Sequence, residues 1–462
     1  MAVSEDLCDP DSVLNKLGLW NLQQLTISAT CAFIWGLTTF PMLIPSYVQD
    51  SATCDDCNPR LANASTLRKD FNLIDADLQW YSITFYLGCM LGGVTLSYLA
   101  DIYGRKRISL PCLFIVGISG LATAWAPSYW FILVCRVIQG ICYPAAGCCM
   151  WILALESVSF KKHAIVGLIF NLSWTLGYCI IPLTAFLVPS WNYLTIILSA
   201  PLAIIAVLAT FLLPESFHFM LKSRNKKGLK KFIGDKANVN IDEMVECYSP
   251  DGDEGIHISR SYLYIKNNKK YLVYGFVTSF IWSTQFLLYL TFSISSSSLS
   301  GNPYWNFAFT GLAELPSVLI GPFIMNRFHR KKPMIVSAFI VCILCFSLIF
   351  IPQTKTTLYL VFWMSCKLLL AFTYVCLYVY FPEIFPTQIR NTSIGLCQTL
   401  ANVGGVLNTL LGTWIPNKTT LMILFTTISF INGILLFTLP ETTEDNTEIE
   451  HNEEILEEST EN

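Results

Sequence analysis

The sequence predicts an all-α polytopic membrane protein with twelve transmembrane helices in two parallel six-helix repeats. Of its 462 residues, 53% are hydrophobic and only 13% are charged, a balance typical of membrane proteins. Twelve apolar stretches reach about 20 residues, the length that spans a bilayer as an α-helix. Three charged signatures also recur in the same order at nearly one offset, which indicates a duplicated unit.

The repeats lie about 226 residues apart, a period far longer than that of a solenoid. The first signature contains Asp101, Gly104 and three basic residues. The three pairs of matching segments are 101–107 with 326–332, Glu156 with Glu383, and 213–216 with 439–442.

Each span is expected where an apolar stretch lies between polar segments. The spans are expected near 23–46, 79–100, 108–127, 129–151, 163–188, 192–213, 271–293, 304–326, 334–352, 357–380, 392–413 and 419–439. The resulting domains are a cytoplasmic N-terminus (1–22), a six-helix bundle (23–213), a charged cytoplasmic connector (214–270), a second bundle (271–440) and an acidic cytoplasmic tail (441–462).

Most of the 29 Lys and Arg residues fall on one side of these spans, which predicts cytoplasmic termini and a multi-pass protein of the plasma membrane. The long outside loop, 47–78, contains the sequon Asn63-Ala-Ser65, so we expect glycosylation at Asn63. Cys54 and Cys57 lie in the same loop, and either a disulfide or two free thiols would fit. A metal site is not expected, because the sequence has no second pair of metal ligands near these two cysteines. A nucleic-acid partner is not expected either, because the net charge is −3.

Acidic residues recur with the basic signatures at the cytoplasmic ends of the helices. Ion pairs among them would hold helices together in one conformation and break in another. The alternative is that the basic residues only fix orientation. The predicted cytoplasmic gate residues are Asp101, Gly104, Arg105, Arg107, Glu156, Glu215, Arg327, Arg330, Glu383 and Arg390.

Four segments carry a family resemblance. The segment 99–106, Leu-Ala-Asp-Ile-Tyr-Gly-Arg-Lys, resembles the loop 2–3 signature of the major facilitator superfamily. The segments 214–216, 301–316 and 382–391 resemble the organic cation, anion and carnitine transporters of that superfamily. The resemblance covers nearly all of residues 20–440 and implies the major facilitator fold.

The chain departs from the family pattern at several positions. Its outside loop is shorter than usual and has two Cys, and Ile102 replaces a usual basic residue. Asn326 and His329 stand where a full second signature would have Asp and Gly, so we expect a weaker second gate. Asn402 occupies a position where an acid would imply cations and an Arg would imply anions or zwitterions, so it favours neither.

A charge inside a spanning helix is costly and suggests a functional site. Lys367 suggests a carboxylate on the substrate, and Glu314 an ammonium group; alternatively the two pair with each other. Polar and aromatic stripes at helical spacing accompany them. The predicted substrate cavity contains Arg136, Trp282, Gln285, Tyr289, Glu314, Lys367, Tyr374, Tyr378 and Asn402.

We therefore expect a transporter that moves small organic ions, preferably a cation or a carnitine-like zwitterion, by alternating access. Its partners would be that substrate and the lipid bilayer. Whether a coupling ion also binds is left open by the sequence. A non-transporting membrane glycoprotein and a sugar facilitator are the alternatives. An enzyme is not expected, because the sequence contains neither a nucleophile–base pair nor a phosphate-binding loop. No cofactor is expected.

Overall fold

A computed structural model describes residues 10–17, 21–49, 65–233, 241–247, 269–385, 387–415 and 417–442. Within these ranges, 12 helices are long and apolar enough to cross a membrane, which confirms the predicted number of spans. They are α1 Leu22–Leu43, α2 Asp75–Tyr103, α3 Arg105–Ala124, α4 Tyr129–Leu155, α5 Phe160–Leu187, α6 Trp191–Leu212, α7 Lys269–Ser298, α8 Pro303–Met325, α9 Lys331–Phe350, α10 Thr356–Ile384, α11 Ser393–Trp414 and α12 Lys418–Phe437.

Shorter helices flank or connect these spans. They are Pro10–Lys16, Pro45–Val48, Leu67–Phe71, Phe217–Lys222, Lys226–Ile233 and Ile241–Cys247. Asn63, Cys54 and Cys57 lie outside the described residues, so glycosylation and the state of the two thiols remain predictions.

Polar side chains start several of the spanning helices by accepting hydrogen bonds from backbone groups that have no partner in the first turn. Asn21 accepts from the N–H of Gln23 at 3.2 Å at the start of α1. Asn417 accepts from the N–H of Thr419 at 3.0 Å at the start of α12. These caps fix the helix ends to within a few residues of the positions predicted from hydropathy.

The chain divides into two compact units. Unit 1 comprises Met1–His257 and Asn302–Gly311, and unit 2 comprises Ile258–Gly301 and Leu312–Asn462. Helices α1–α6 therefore lie in unit 1, together with residues 303–311 at the start of α8. Unit 2 contains α7, the rest of α8, and α9–α12.

Close contact between α2 and α4 organises unit 1. A Cβ at Gly140 would lie 2.0 Å from the Phe85 carbonyl oxygen, and one at Gly88 would lie 2.4 Å from that of Val137. Only glycine permits the two backbones to approach so closely, as is common where helices pack in membranes. The contact presents the neighbouring face of α4, with Arg136, to the interior of the unit.

Aromatic contacts join the first segment of α8 to the rest of unit 1. The Tyr47 hydroxyl donates to the Pro303 carbonyl oxygen at 3.2 Å, and the Tyr47 ring stacks on Tyr304 with centroids 5.6 Å apart. Tyr178 and Phe307 have ring centroids 4.5 Å apart.

Helix α8 is interrupted, because it consists of the segments Pro303–Leu312 and Leu315–Phe328. Pro316 stands at the start of the second segment, where it supplies no backbone N–H to the Leu312 carbonyl. The break leaves Glu314 between the two segments and places it beside α10.

Large apolar side chains cover the outer surfaces of both units. Phe211 is 83% exposed, Phe276 75% and Phe323 73%. Exposure of many large apolar side chains would be unfavourable in water and is expected where helices face lipid.

Candidate functional site

The most deeply buried charges of unit 2 form an ion pair between α8 and α10. The Lys367 ammonium lies 2.9 Å from Glu314 Oε1, and the two side chains are 0% and 6% exposed. Glu314 lies at the break in α8, and Lys367 lies in the middle of α10. Of the two roles predicted for these residues, mutual pairing is the arrangement that the structure contains, and it leaves a role in substrate binding untested.

Two residues of α7 complete the surroundings of this ion pair. The Tyr289 hydroxyl donates to Glu314 Oε1 at 2.8 Å, and the Lys367 ammonium donates to Ser293 Oγ at 2.5 Å. The same ammonium lies 3.1 Å from the centroid of the Tyr289 ring, a cation–π contact. Hydrogen bonds to both charges offset part of the cost of their burial.

An aromatic row continues from the ion pair along α7 and α10. Tyr289 meets Tyr374 at a centroid distance of 5.2 Å, Tyr374 meets Tyr378 at 6.1 Å, and Tyr378 meets Trp282 at 5.4 Å. Near this row, Gln285 Nε2 donates to the Leu370 carbonyl oxygen at 2.9 Å. Six predicted cavity residues, including Lys367, thus form one connected group, and Gln285 binds the backbone of α10 beside them.

Asn402 is placed differently. Its side-chain amide donates to the carbonyl oxygens of Gln398 and Thr399 on its own helix, at 3.1 and 3.4 Å. The following glycine has a packing role, because a Cβ at Gly404 would lie 2.0 Å from the Ser283 carbonyl oxygen of α7. The Asn402-Val-Gly-Gly405 segment thus brings α11 against α7.

Arg136 lies in unit 1, where it joins several helices. Its guanidinium donates to the carbonyl oxygens of Tyr81 and Pro41 at 3.1 and 3.0 Å, and to Gln139 Oε1 at 2.8 Å. It also lies 4.4 Å from the ring centroids of Tyr81 and Phe85. These contacts tie α4 to α1 and α2, and Arg136 borders a cavity of only about 10 Å³.

Unit 1 also contains an aromatic cluster contributed by α1, α4 and α5. Trp35 lies 5.3 Å from Trp151 and 5.5 Å from Trp174, measured between ring centroids. Phe170 completes the group, 4.6 Å from Trp151. The three Trp rings are half-buried. Trp35 and Trp151 were missed from the sequence because one-helix periodicity does not reveal which aromatic faces meet.

The charged signature of the first half forms the unit 1 charge cluster, made of Asp101, Arg105, Lys106, Glu156 and Glu215. Arg105 pairs with Asp101 and, at 3.3 Å, with Glu156. Glu215 Oε1 accepts from the backbone N–H of Lys106 at 2.9 Å, next to the first turn of α3. A carboxylate there complements the positive end of the helix dipole.

Gly104 permits this arrangement for two reasons. Its φ of 110° is unfavourable for residues with a side chain, and a Cβ would lie 2.6 Å from Glu215 Oε2. Ser216 also donates to Glu156, so the two acids are connected. The sequence singled out the two acids and Arg105 but gave no role to Lys106, whose ammonium donates to the Leu213 carbonyl oxygen at 2.6 Å.

The second half repeats this arrangement in the unit 2 charge cluster, made of Arg330, Lys331, Glu383 and Glu441. Arg330 Nε lies 3.2 Å from Glu383 Oε1. Glu441 Oε1 accepts from the backbone N–H groups of Arg330 and Lys331, both at 3.1 Å. Thr442 donates to Glu383 at 2.7 Å, as Ser216 does to Glu156. Glu441 was not named as a gate residue, although it lies in the repeated Leu-Pro-Glu segment.

Two other predicted gate residues do not join these clusters in what the structure describes. Arg107 and Arg327 are exposed. The side chain of Arg390 lies outside the described residues, as does that of Asn326. His329 stands in the position of Gly104 and has φ 63° and ψ −176°.

Comparisons with known proteins agree with this architecture. The model of the Major Facilitator Superfamily matches residues 25–409 and 305–456. A Caenorhabditis elegans protein with the provisional name transporter B0252.3 is 30% identical over 450 residues, which are 95% of this chain and 90% of that protein. Solute carrier family 22 member 2 of Mus musculus is 26% identical over 393 residues, which are 82% of this chain and 70% of that protein.

Solved structures share the fold. The inward-open xylose transporter XylE from E. coli superimposes with a TM-score of 0.66 at 17% identity, over 91% of this chain and 97% of that one. The nucleoside transporter NupG gives 0.59 at 12% identity, over 90% and 99%. Likeness at this identity concerns the fold alone.

The matching proteins are transporters, which confirms that the chain is not an enzyme. The chain belongs to the Major Facilitator Superfamily, and its similarity to members of solute carrier family 22 agrees with the resemblance of its motifs to the organic cation, anion and carnitine transporters.

Proposed function

We propose that this protein carries small organic ions across the plasma membrane, preferably zwitterions or cations, and that the Glu314–Lys367 ion pair binds them. The observation that carries the proposal is an acid and a base buried together beside a row of aromatic rings in α7 and α10. Buried charges are costly to keep in a membrane protein and are most often retained for function.

The charge balance of the pair favours a zwitterion. A cation that bound Glu314 alone would leave the Lys367 ammonium buried without its carboxylate partner. A zwitterion would give Glu314 an ammonium and Lys367 a carboxylate, so that no charge loses its partner. When the substrate leaves, the two side chains neutralise each other again.

Aromatic rings provide a second source of affinity for organic cations. The Tyr289 ring already holds the Lys367 ammonium at 3.1 Å, and each such face contributes about 0.5–2 kcal/mol once water is removed. The half-buried rings of Trp35, Trp151 and Trp174 offer similar faces in unit 1.

Alternating access would follow from the repeated charge clusters. Glu156 binds Arg105, the first residue of α3, and Glu383 binds Arg330, which immediately precedes α9, so separation of those helices requires the pairs to break. The position of Glu314 at the break in α8 supports a link with the substrate site, because discontinuous helices commonly form transporter binding sites. We place both clusters and both termini on the cytoplasmic side, in accordance with the distribution of Lys and Arg.

Uptake by cells that express the protein at their surface tests this proposal. Carnitine, tetraethylammonium and an aromatic carboxylate are compared as zwitterion, cation and anion. We expect carnitine to be taken up fastest and Lys367→Met to abolish its uptake, whereas Lys222→Gln should retain it, because Lys222 is exposed and lies outside both the ion pair and the charge clusters. Absence of uptake for all three compounds would favour the non-transporting glycoprotein, and uptake of xylose alone would favour a sugar facilitator.

A further inference from the structure

The short helix Lys226–Ile233, which we name the connector helix, has an apolar face and a basic face. Leu229, Phe232 and Ile233 are buried, with 0%, 2% and 3% of their surfaces exposed. The lysines of the helix lie on its opposite side, because successive residues of an α-helix are turned by about 100°. The apolar face therefore packs within unit 1, and the basic face is turned outwards.

The connector helix is held close to the end of α6. Its Phe232 ring packs on Phe217, with centroids 5.2 Å apart, and Phe217 begins the helix that follows α6. Asn225 Oδ1 accepts from the N–H of Gly228 at 3.0 Å, which satisfies a backbone group in the first turn. These contacts fix the direction in which the basic face points.

Four exposed basic residues on and beside this helix form what we name the basic patch. They are Arg224, Lys227, Lys230 and Lys231. The nearby acids Asp242 and Glu246 both face another residue, Lys226, with which Asp242 forms an ion pair. The basic patch therefore presents several positive charges of one sign on one side of the helix.

The basic patch reaches the membrane end of α6. There the Lys106 ammonium donates to the carbonyl oxygens of Thr210 and Leu213 at 2.8 and 2.6 Å. Phe211, in the same turn, is 83% exposed, as expected where α6 still faces lipid. Lys231 lies close enough to Lys106 for the two positive charges to repel each other. The basic patch thus begins at the boundary between the hydrocarbon and the head groups.

We infer that the basic patch binds anionic phospholipid head groups of the cytoplasmic leaflet. Clusters of basic residues directly after a spanning helix attract acidic lipids. Glu215 already lies near Lys106, and a lipid phosphate at Lys231 would add a second negative charge where two positive charges repel. A lipid fits this place better than a soluble anion does, because its acyl chains would lie along the exposed Phe211 and Leu212.

The choice of leaflet rests on the orientation given under Proposed function, whereas the basic patch itself is independent of the transported substrate. Native mass spectrometry of the purified full-length protein in detergent tests the inference, with phosphatidylserine and phosphatidylcholine as probes. We expect phosphatidylserine to bind about tenfold more tightly or better, since each basic residue near an anionic surface contributes about a fivefold factor.

The triple variant Lys227→Gln, Lys230→Gln, Lys231→Gln should lose most of this preference. Ammonium acetate at about 1 M should have the same effect on the parent protein, because it screens charges beyond about 3 Å. Replacement of the same three lysines by arginine should retain the preference. The melting temperature in phosphatidylcholine micelles shows whether each variant is folded.

The matched control removes the same charge from three exposed lysines of other segments. It is the triple variant Lys161→Gln, Lys269→Gln, Lys332→Gln, which should keep the preference for phosphatidylserine. Equal binding of the two lipids by the parent protein, or equal losses in the two glutamine variants, would overturn the inference. Displacement of phosphatidylserine by an equal concentration of glycerophosphoserine, which lacks acyl chains, would overturn it in favour of a soluble anion. Because the readout is lipid binding, its failure is distinguishable from failure of transport.

Discussion

His329 is the residue at which the second half of the chain differs most clearly from the first. Its φ of 63° and ψ of −176° fall in a region that is almost confined to glycine and costs other residues about 1–3 kcal/mol. Its side chain is exposed, so its removal sacrifices no buried contact. Glycine loses about 0.5–1 kcal/mol more conformational entropy on folding. The strain relieved exceeds this entropy cost at their central values, so His329→Gly should stabilise unit 2 by about 1 kcal/mol.

Thermal unfolding of the purified protein measures this effect, and about 2–4 °C per kcal/mol is expected for a unit of this size. Because residue 329 immediately precedes the unit 2 charge cluster, the substitution should also favour the state in which that cluster is formed, and lower the maximal rate of uptake. The matched control is Gly104→Ala, which places a Cβ 2.6 Å from Glu215 Oε2 at φ 110° and should destabilise unit 1. An unchanged or lower melting temperature for His329→Gly would refute the reasoning.

Three further predictions concern the interior of the two units. Lys367→Met should lower the free energy of unfolding by about 3–5 kcal/mol, because it leaves a buried carboxylate unpaired. Adding Glu314→Gln should recover most of that stability without restoring uptake, and unfolding and uptake assays on the same samples measure both effects. Gly404→Ala should destabilise the protein, since a Cβ would lie 2.0 Å from backbone, whereas Gly412→Ala, with nothing within 4 Å, should not; equal melting temperatures would contradict this. Tyr304→Ala should lose a ring stack worth about 0.5–1.5 kcal/mol, and a variant as stable as the parent would show that the stack contributes nothing.

The spanning helices could be predicted from the sequence because each needs a long apolar stretch, and hydropathy measures that directly. The ends of several helices were harder to predict. Helix α2 extends to Tyr103, through Asp101 and beyond the expected limit of 100, because the break comes only at Gly104 with its positive φ. Hydropathy does not register a change of backbone conformation.

The repeat also predicted most of both charge clusters, because duplicated charges at one offset occupy equivalent places in the two halves. It led to Arg105, Glu156, Arg330 and Glu383, which form two ion pairs in the structure, whereas their role as a gate stays a prediction. The backbone contacts of Glu441 were missed, since a pattern of side-chain charges does not show which carboxylate binds N–H groups.

The surroundings of the buried ion pair were only partly predictable from the sequence. Intramembrane charge pointed to Glu314 and Lys367, and helical spacing pointed to Tyr289 and Tyr374. Ser293 was missed because a serine carries no charge or hydropathy signal, yet its hydroxyl accepts from the Lys367 ammonium at 2.5 Å. Such contacts depend on how α7 and α10 pack, which no single helix reveals.

The measurement that tests the central claim most directly is uptake of labelled carnitine into liposomes that contain only the purified protein. We predict saturable uptake by the parent protein and none by the Glu314→Gln, Lys367→Met double variant, although that variant should remain folded. Equal uptake by the double variant would show that the buried ion pair only stabilises unit 2 and that the substrate binds elsewhere.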